Sequence, residues 1–134
     1  MTAKEHYRKL FFIFFRAAIS LMLFIHGVAR IWLDAVEPFG AFLTHVGFPF
    51  GYTLAWSITI FELVGSFLMA VGRFNKQIAI GFILELLGGI ILVHAQHGWF
   101  VVGHSNNGVE YNISLISSLI LIWAMDQFKD DDLN

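Results

Sequence analysis

Residues 52–71 read YTLAWSITIFELVGSFLMAV, twenty residues with one charge, Glu62, near the middle. A membrane-crossing helix needs roughly 20 mostly apolar residues, and this stretch has that length. Two other stretches qualify on the same terms. Leu10–Leu33 is interrupted by Arg16, His26 and Arg30, and Ile78–Ala95 carries one charge, Glu85. A fourth span is expected over Asn107–Phe128. Its apolar part is only Ile113–Met125, so it reaches span length through Glu110, Tyr111 and Asn112. Asn106 and Asn107 are the candidates to cap it, with Glu110 placed favourably in the first turn near the positive helix end.

Composition points to the same solvent. Of 134 residues, 57% are hydrophobic and 13% charged, against about a quarter charged in soluble domains. Too little polar surface remains to cover a water-facing globule. A net charge of -2 gives no electrostatic case for nucleic acid. Cysteine is absent, which excludes disulfide chemistry and thiolate metal sites within the chain. The basic first ten residues precede an apolar run too long for a signal peptide, with no small-residue cleavage site after it. That run is expected to stay as a span. No internal repeat or second domain is visible, so residues 1–134 read as one four-helix transmembrane domain.

Basic residues set the expected direction. Lys4, Arg8 and Lys9 precede the first span, Arg73 and Lys76 lie in the second loop, and Lys129 follows the last span. The first and third loops have neither Lys nor Arg, so both termini are expected in the cytoplasm. The acidic tail Asp130–Asp132 counts for little in that rule. Trp32, Tyr52, Trp56, Trp99 and Tyr111 mark the outer interface, Tyr7 and Trp123 the inner one. In the first outer loop, Pro38 suits a first helical position and Gly47 a helix end, which predicts a short interfacial helix over Pro38–Val46. The other outer loop, Gln96–Asn106, is apolar at Trp99–Val102 and is expected to fold back towards the membrane or the bundle mouth.

Ionisable residues inside spans cost roughly 2.5–3.5 kcal/mol at the bilayer centre on insertion scales, so they should face inward and pair. Helical spacing groups Arg16, Ser20, Leu23, Gly27 and Arg30 on one face, with His26 flanking it. Glu62, Gly65, Ser66 and Met69 share a second face; Gly81, Glu85, Gly88 and Gly89 a third; Ser114, Ser117, Ser118 and Leu121 a fourth. Small and polar residues let membrane helices approach closely, so the expectation is that all four faces meet at a common axis.

The outer half of that axis would gather His26, Arg30, Glu62, His94, Glu110, Tyr111 and Asn112 into a polar pocket. The plainer alternative is that Glu62 pairs with Arg30 or His26 and locks the helices together. Glu85 has Arg16 as a candidate partner, and there the structural reading is the stronger. His26 and His94 on separate spans could ligate a b-type haem, and His94, His97 and His104 a metal. Both ideas are disfavoured, because histidines at helix ends commonly just bond to neighbours.

The stretch Phe61-Glu62-Leu63-Val64-Gly65-Ser66-Phe67-Leu68-Met69-Ala70-Val71-Gly72 resembles the second-span signature of the DoxX family. His26-Gly27-Val28-Ala29-Arg30, Pro38-Phe39-Gly40 and Gly47-Phe48-Pro49 fit its first span and outer loop. His94, Gly98-Trp99-Phe100 and Gly108-Val109-Glu110-Tyr111-Asn112 resemble its third-span exit and fourth-span entry. Gly65 followed by Ser66 departs mildly from the commoner paired glycine, and Glu85 has no place in the pattern. The resemblance implies a four-helix membrane protein. Some family members are the small membrane subunit of thiosulfate:quinone oxidoreductase; others are linked to oxidative-stress protection. Carried over by residue, it points at His26, Arg30, Glu62, His94, Glu110, Tyr111 and Asn112.

Two readings of function follow. In the first, a quinone sits in the outer pocket. His26 or His94 donates to a carbonyl, Glu62 relays a proton and Arg30 stabilises negative charge, with Trp99, Phe100 and Tyr111 flanking the ring. Electrons then have to come from a redox partner protein. In the second, the pocket holds a lipid head group or small anion anchored by Arg30, and the protein is a scaffold without catalysis. Small-solute transport fits less well, because there is no inverted repeat or broken helix. Membrane lipid is a partner in every case, the bacterial inner membrane is the expected location, and the oligomeric state is open, a homo-oligomer included.

Overall fold

The computed structural model describes residues 2–104 and 106–131, with the backbone alone for 127–131. Asp132 of the acidic tail lies outside the described residues, and so do the side chains of Lys129 and Asp130. Helices α1 (Ala3–Trp32), α2 (Val36–His45), α3 (Gly51–Ala70), α4 (Asn75–Leu92) and α5 (Glu110–Asp131) follow in order, with a 3-10 turn at His94–His97 before α5. The chain divides into two compact units. One runs to Arg73 and holds α1, α2 and α3; the other starts at Phe74 and holds α4, the 3-10 turn and α5.

Among the described residues, α1, α3 and α4 are long and apolar enough to cross a membrane. The expected fourth span, now α5, is not one of these, and its apolar stretch is shorter than the ~20 residues a span needs. Helix α1 starts seven residues before the apolar run at Leu10, because a capping box begins it. Glu5 N donates to Thr2 Oγ1 at 3.3 Å while Thr2 N donates to Glu5 Oε2 at 2.6 Å. Hydropathy cannot see such a cap.

In the first unit α1 and α3 pack antiparallel, and the sequence-derived faces meet. Ser20, Leu23 and Gly27 are buried on α1, and Glu62, Gly65, Ser66 and Met69 on α3. Gly27 permits the close approach: a Cβ there would stand 3.1 Å from Glu62 Cβ and 3.2 Å from Leu63 Cδ2. Helix α3 ends in a Schellman turn, with Arg73 N donating to Leu68 O at 2.8 Å and Gly72 at φ +80°. Arg16 Nη2 donates to Ala70 O at 3.4 Å, which sets a cation at the negative end of α3. A side chain at Gly72 would begin 2.9 Å from that nitrogen.

Helix α2 is present but shifted from Pro38–Val46. The left-handed turn at Asp34 (φ 52°) and the bond from Ala35 N to Arg30 O start it at Val36. Pro38 is therefore the third helical residue, still in the first turn where no N–H is missed. Gly47 (φ 99°) does end the helix. The apolar stripe of α2 faces α3: Val36 and Leu43 form a core with Ala55, flanked by Phe39, Phe42, Leu54 and Ile58. The crossing is tight, since a Cβ on Gly40 would lie 2.8 Å from Tyr52 Cα, and one on Gly51 would lie 2.5 Å from Gly40 O.

In the second unit the faces differ from expectation. On α4 the buried residues are Asn75, Ile78, Ala79 and Phe82, while a Cβ on Gly88 would touch nothing within 4 Å. On α5 the buried face is Asn112, Leu115, Leu119 and Ile122. Ser114, Ser117 and Leu121 are exposed. The reason is local: Ser117 and Ser118 donate to the carbonyls of Ile113 and Ser114, both at 2.9 Å. A helical serine satisfied by the i−4 carbonyl needs no inward partner. Near its other end the unit is tied by Asn75 Nδ2, which donates to Asp126 Oδ1 at 3.0 Å.

Candidate functional site

Arg30 lies two residues before the end of α1, and Glu62 lies in the middle of α3. Their side chains form a forked ion pair, Nη1 to Oε2 at 2.5 Å and Nη2 to Oε1 at 2.9 Å. The carboxylate side chain is 3% exposed and the guanidinium 12%. Paired, planar recognition of this kind is the geometry that arginine alone offers. Arg30 Nη1 also donates to Thr59 Oγ1 at 3.3 Å, and Thr59 donates onward to Ala55 O at 2.8 Å. From α2, the Phe39 ring covers the guanidinium, its centroid 4.7 Å from Cζ. Ser66 Oγ donates to the Glu62 carbonyl one turn on.

His26, one turn before Arg30, completes the network. Its Nδ1 is 3.0 Å from Glu62 Oε1, and its side chain is 63% exposed. A carboxylate that receives two N–H groups from a guanidinium is an acceptor, so His26 Nδ1 carries the proton and Nε2 is the acceptor nitrogen of the neutral ring. Arg30 Nη2 lies 3.4 Å from the same Nδ1; these are two donors side by side on one acceptor, and no bond joins them. The first unit thus brings together His26, Arg30 and Glu62 and adds two groups that sequence reasoning missed. Thr59 had a signal, since it precedes Glu62 by three residues on the same helical face. Phe39 had none, because its ring reaches Arg30 only through the α2–α3 crossing.

The second unit builds its own polar cluster. Helix α4 stops at Leu92, where Val93 leaves helical geometry (φ −128°, ψ −60°), and His94 opens the 3-10 turn. His94 Nδ1 donates to Asn107 O at 2.8 Å. Asn107 was expected to cap α5, but it adopts φ 64°, a left-handed conformation that Asn tolerates, and α5 starts three residues later at Glu110. Between them the loop folds back on itself. Gly108 N donates to Phe100 O, Glu110 N to Trp99 O and Val109 N to Gly98 O, while Glu110 Oε1 accepts from Val101 N at 2.8 Å. Gly108 lets the strands of this loop touch, since a Cβ there would lie 2.5 Å from Trp99 C.

Glu110 therefore holds the loop, and Trp99 and Tyr111 are about half exposed on it. Asn112 is buried and donates from Nδ2 to Leu86 O at 3.3 Å. His104 tilts against Phe100 with ring centroids 5.0 Å apart. Among the described residues, no three His, Asp or Glu side chains gather closely enough to hold a metal, His94, His97 and His104 included.

Compared with known proteins, the chain matches the family model described as DoxX over residues 11–95, well over half its length. No curated protein and no solved structure match it.

Proposed function

The chain belongs to the DoxX family, and from that premise we propose that it is the membrane subunit of a quinone-linked oxidoreductase, binding a quinone at an outward-facing polar site. It is a membrane protein with three helices, among the described residues, long and apolar enough to cross a bilayer; in this reading α5 crosses as a fourth, both termini are cytoplasmic and the membrane is the bacterial inner one. The chain holds no electron carrier among its own side chains, so a redox partner protein of the thiosulfate:quinone oxidoreductase kind supplies electrons.

One observation carries the reading: His26 is anchored by Glu62 at Nδ1 and left open at Nε2, beside a charge pair within an apolar helix packing. An ionisable group inside the membrane that keeps one face free suits proton exchange with a ligand. Glu62 is one hydrogen bond from the imidazole and, as a carboxylate, takes the Nδ1 proton when Nε2 gains one. Arg30 keeps the carboxylate in place and puts positive charge where a reduced quinone develops negative charge.

A second reading is favoured by one specific feature. The Arg30 guanidinium is used internally by Glu62, Thr59 and Phe39, as in an interhelix lock. Here the protein is a lipid- or small-molecule-binding scaffold in oxidative-stress protection. Mass spectrometry of organic extracts from protein purified in mild detergent separates the two. Co-purifying quinone is expected, and it should fall at least about tenfold in Glu62→Gln, a loss of one charge-assisted bond. Phospholipid alone, with no uptake of added quinone by the folded protein, would refute the quinone reading.

A further inference from the structure

Within the first unit, one cation is held in place but not neutralised. An arginine on an apolar helix should find a countercharge. Arg16 Nη2 donates to Ala70 O at 3.4 Å, the one hydrogen bond that its side chain makes among the described residues. Nε is buried without a partner. Nη1 bonds to none of the described residues and is not buried, and the residue as a whole is partly exposed. The ion pairs among the described residues join Glu62 to Arg30 and His26 and do not include Arg16.

The turn at Gly72 fixes the plane of this guanidinium. A Cβ on Gly72 would stand 2.9 Å from Arg16 Nη2, 3.1 Å from Cζ and 3.2 Å from Nη1. Such near-equal distances mean that the group lies face-on to the turn, with its donors directed along the turn and not into it. The Nε side is covered and the Nη1 side is open. Arg73 follows in the same turn, its N–H bonded to Leu68 O and its side chain exposed. Lys9, seven residues before Arg16, stands on the same face of α1 about 10 Å nearer the amino terminus, and it too is exposed. Glu5, the acid at this end of α1, is engaged in the capping box with Thr2.

We propose that Arg16, with Arg73 and Lys9, binds the phosphodiester of an anionic phospholipid in the leaflet on this side. A head group reaches an open guanidinium edge at the surface of a helix pair and needs no cavity. Its two unesterified oxygens match the two Nη groups. Helical side chains lean towards the amino terminus of their helix, which carries the Arg16 charge from an apolar turn to the end of α3, at head-group depth. Arg73 and Lys9 add charge that a zwitterionic lipid, with an ammonium of its own, answers poorly. The proposal is independent of the quinone reading.

Electron spin resonance on the full chain reconstituted in bilayers compares spin-labelled phosphatidylglycerol with spin-labelled phosphatidylcholine. Salt at about 1 M cuts diffuse attraction to a range of about 3 Å. The wild type should still prefer phosphatidylglycerol there. Arg16→Gln and Arg73→Gln should each lower the preference about fivefold, the worth of one cation near an anionic surface. Arg8→Gln, which removes an equal charge from the same end of α1, should change it less than about twofold. Inorganic phosphate at about 10 mM should leave the preference in place. In solid-state spectra of arginine-labelled wild type, phosphorus-31 should dephase the Arg16 Nη signals, as expected for nitrogen and phosphorus about 4 Å apart across a charge-assisted bond.

Equal association of the two lipids, equal losses in Arg8→Gln and Arg16→Gln, or an Arg16 signal untouched by phosphorus overturns the proposal. Loss of the preference on adding inorganic phosphate overturns the lipid as occupant and makes this a site for the free anion. Should Arg16→Gln fail to fold, Arg73→Gln and the wild-type spectra decide the matter.

Discussion

The forked pair between Arg30 and Glu62 invites a double-mutant cycle with Glu62→Leu, Arg30→Met and the two together. Removing one partner of a buried ion pair strands the other charge, which costs about 3–5 kcal/mol. The carboxylate is buried at 3% exposure and the guanidinium largely so at 12%. Glu62→Leu leaves a guanidinium among the Thr59 hydroxyl, the Phe39 face and the His26 ring. None of them supplies a countercharge, so the loss should lie near the upper end. Arg30→Met leaves the carboxylate with His26, which can be protonated, so its loss should lie near the lower end.

The double variant removes both charges from an apolar setting. It orphans little, because Thr59 keeps its bond to Ala55 O and the exposed His26 ring can find water or a head group. The pair of substitutions should therefore cost less than either single one, with a coupling of at least about 3 kcal/mol. Unfolding in mixed micelles, or steric trapping in bicelles, measures these differences. Single costs under about 1 kcal/mol, the range of exposed pairs, or simple additivity, would show that the pair is not the tight, desolvated lock described here.

Other substitutions test the packing. Gly51→Ala should cost about 1–3 kcal/mol, because its Cβ would press on the backbone of Gly40 and Thr44, whereas Gly88→Ala, opening on empty space, should gain up to about 1 kcal/mol of helix propensity; thermal unfolding in detergent compares them. Ser117→Ala and Ser118→Ala should each change stability by less than about 0.5 kcal/mol, since these hydroxyls bond only to their own helix. A larger loss in the same assay would place them at an interface. Phe39→Leu should cost roughly 0.5–2 kcal/mol by uncovering the guanidinium, and the loss should shrink in an Arg30→Met background to the part owed to packing against Val36, Leu43 and Ala55.

What the sequence disclosed depended on whether a polar residue could satisfy itself. Arg30 and Glu62 have no local remedy in an apolar helix, so their faces had to be interior, and the helical wheel read α1 and α3 correctly. Serine does have a remedy in the preceding turn, which serves equally when it is buried, as at Ser66, or exposed, as at Ser117, so the serines of α5 carried no direction of their own. Glycine is ambiguous in the same way: Gly27 is pressed by Glu62 and Leu63, while Gly88 meets nothing. Hydropathy located three spans but misplaced ends that are set by capping at Thr2 and by left-handed turns at Asp34 and Asn107. In the second unit the site residues were named but not their linkage. The bond from His94 to a main-chain carbonyl depends on a loop conformation that no residue spacing encodes.

The bare turn at Gly72 gives α1 two unlike moorings. Towards Trp32 the helix is held through Arg30 by a carboxylate, a group that a proton can neutralise. Towards its amino terminus it is held through Arg16 by the peptide carbonyl of Ala70, which has no acid form in water. Acid that reaches Glu62 would slacken the first attachment and leave fast both the second and the packed face around Gly27. A side chain at position 72 would crowd Arg16 off Ala70, and the same acid would then leave α1 held by side-chain packing alone.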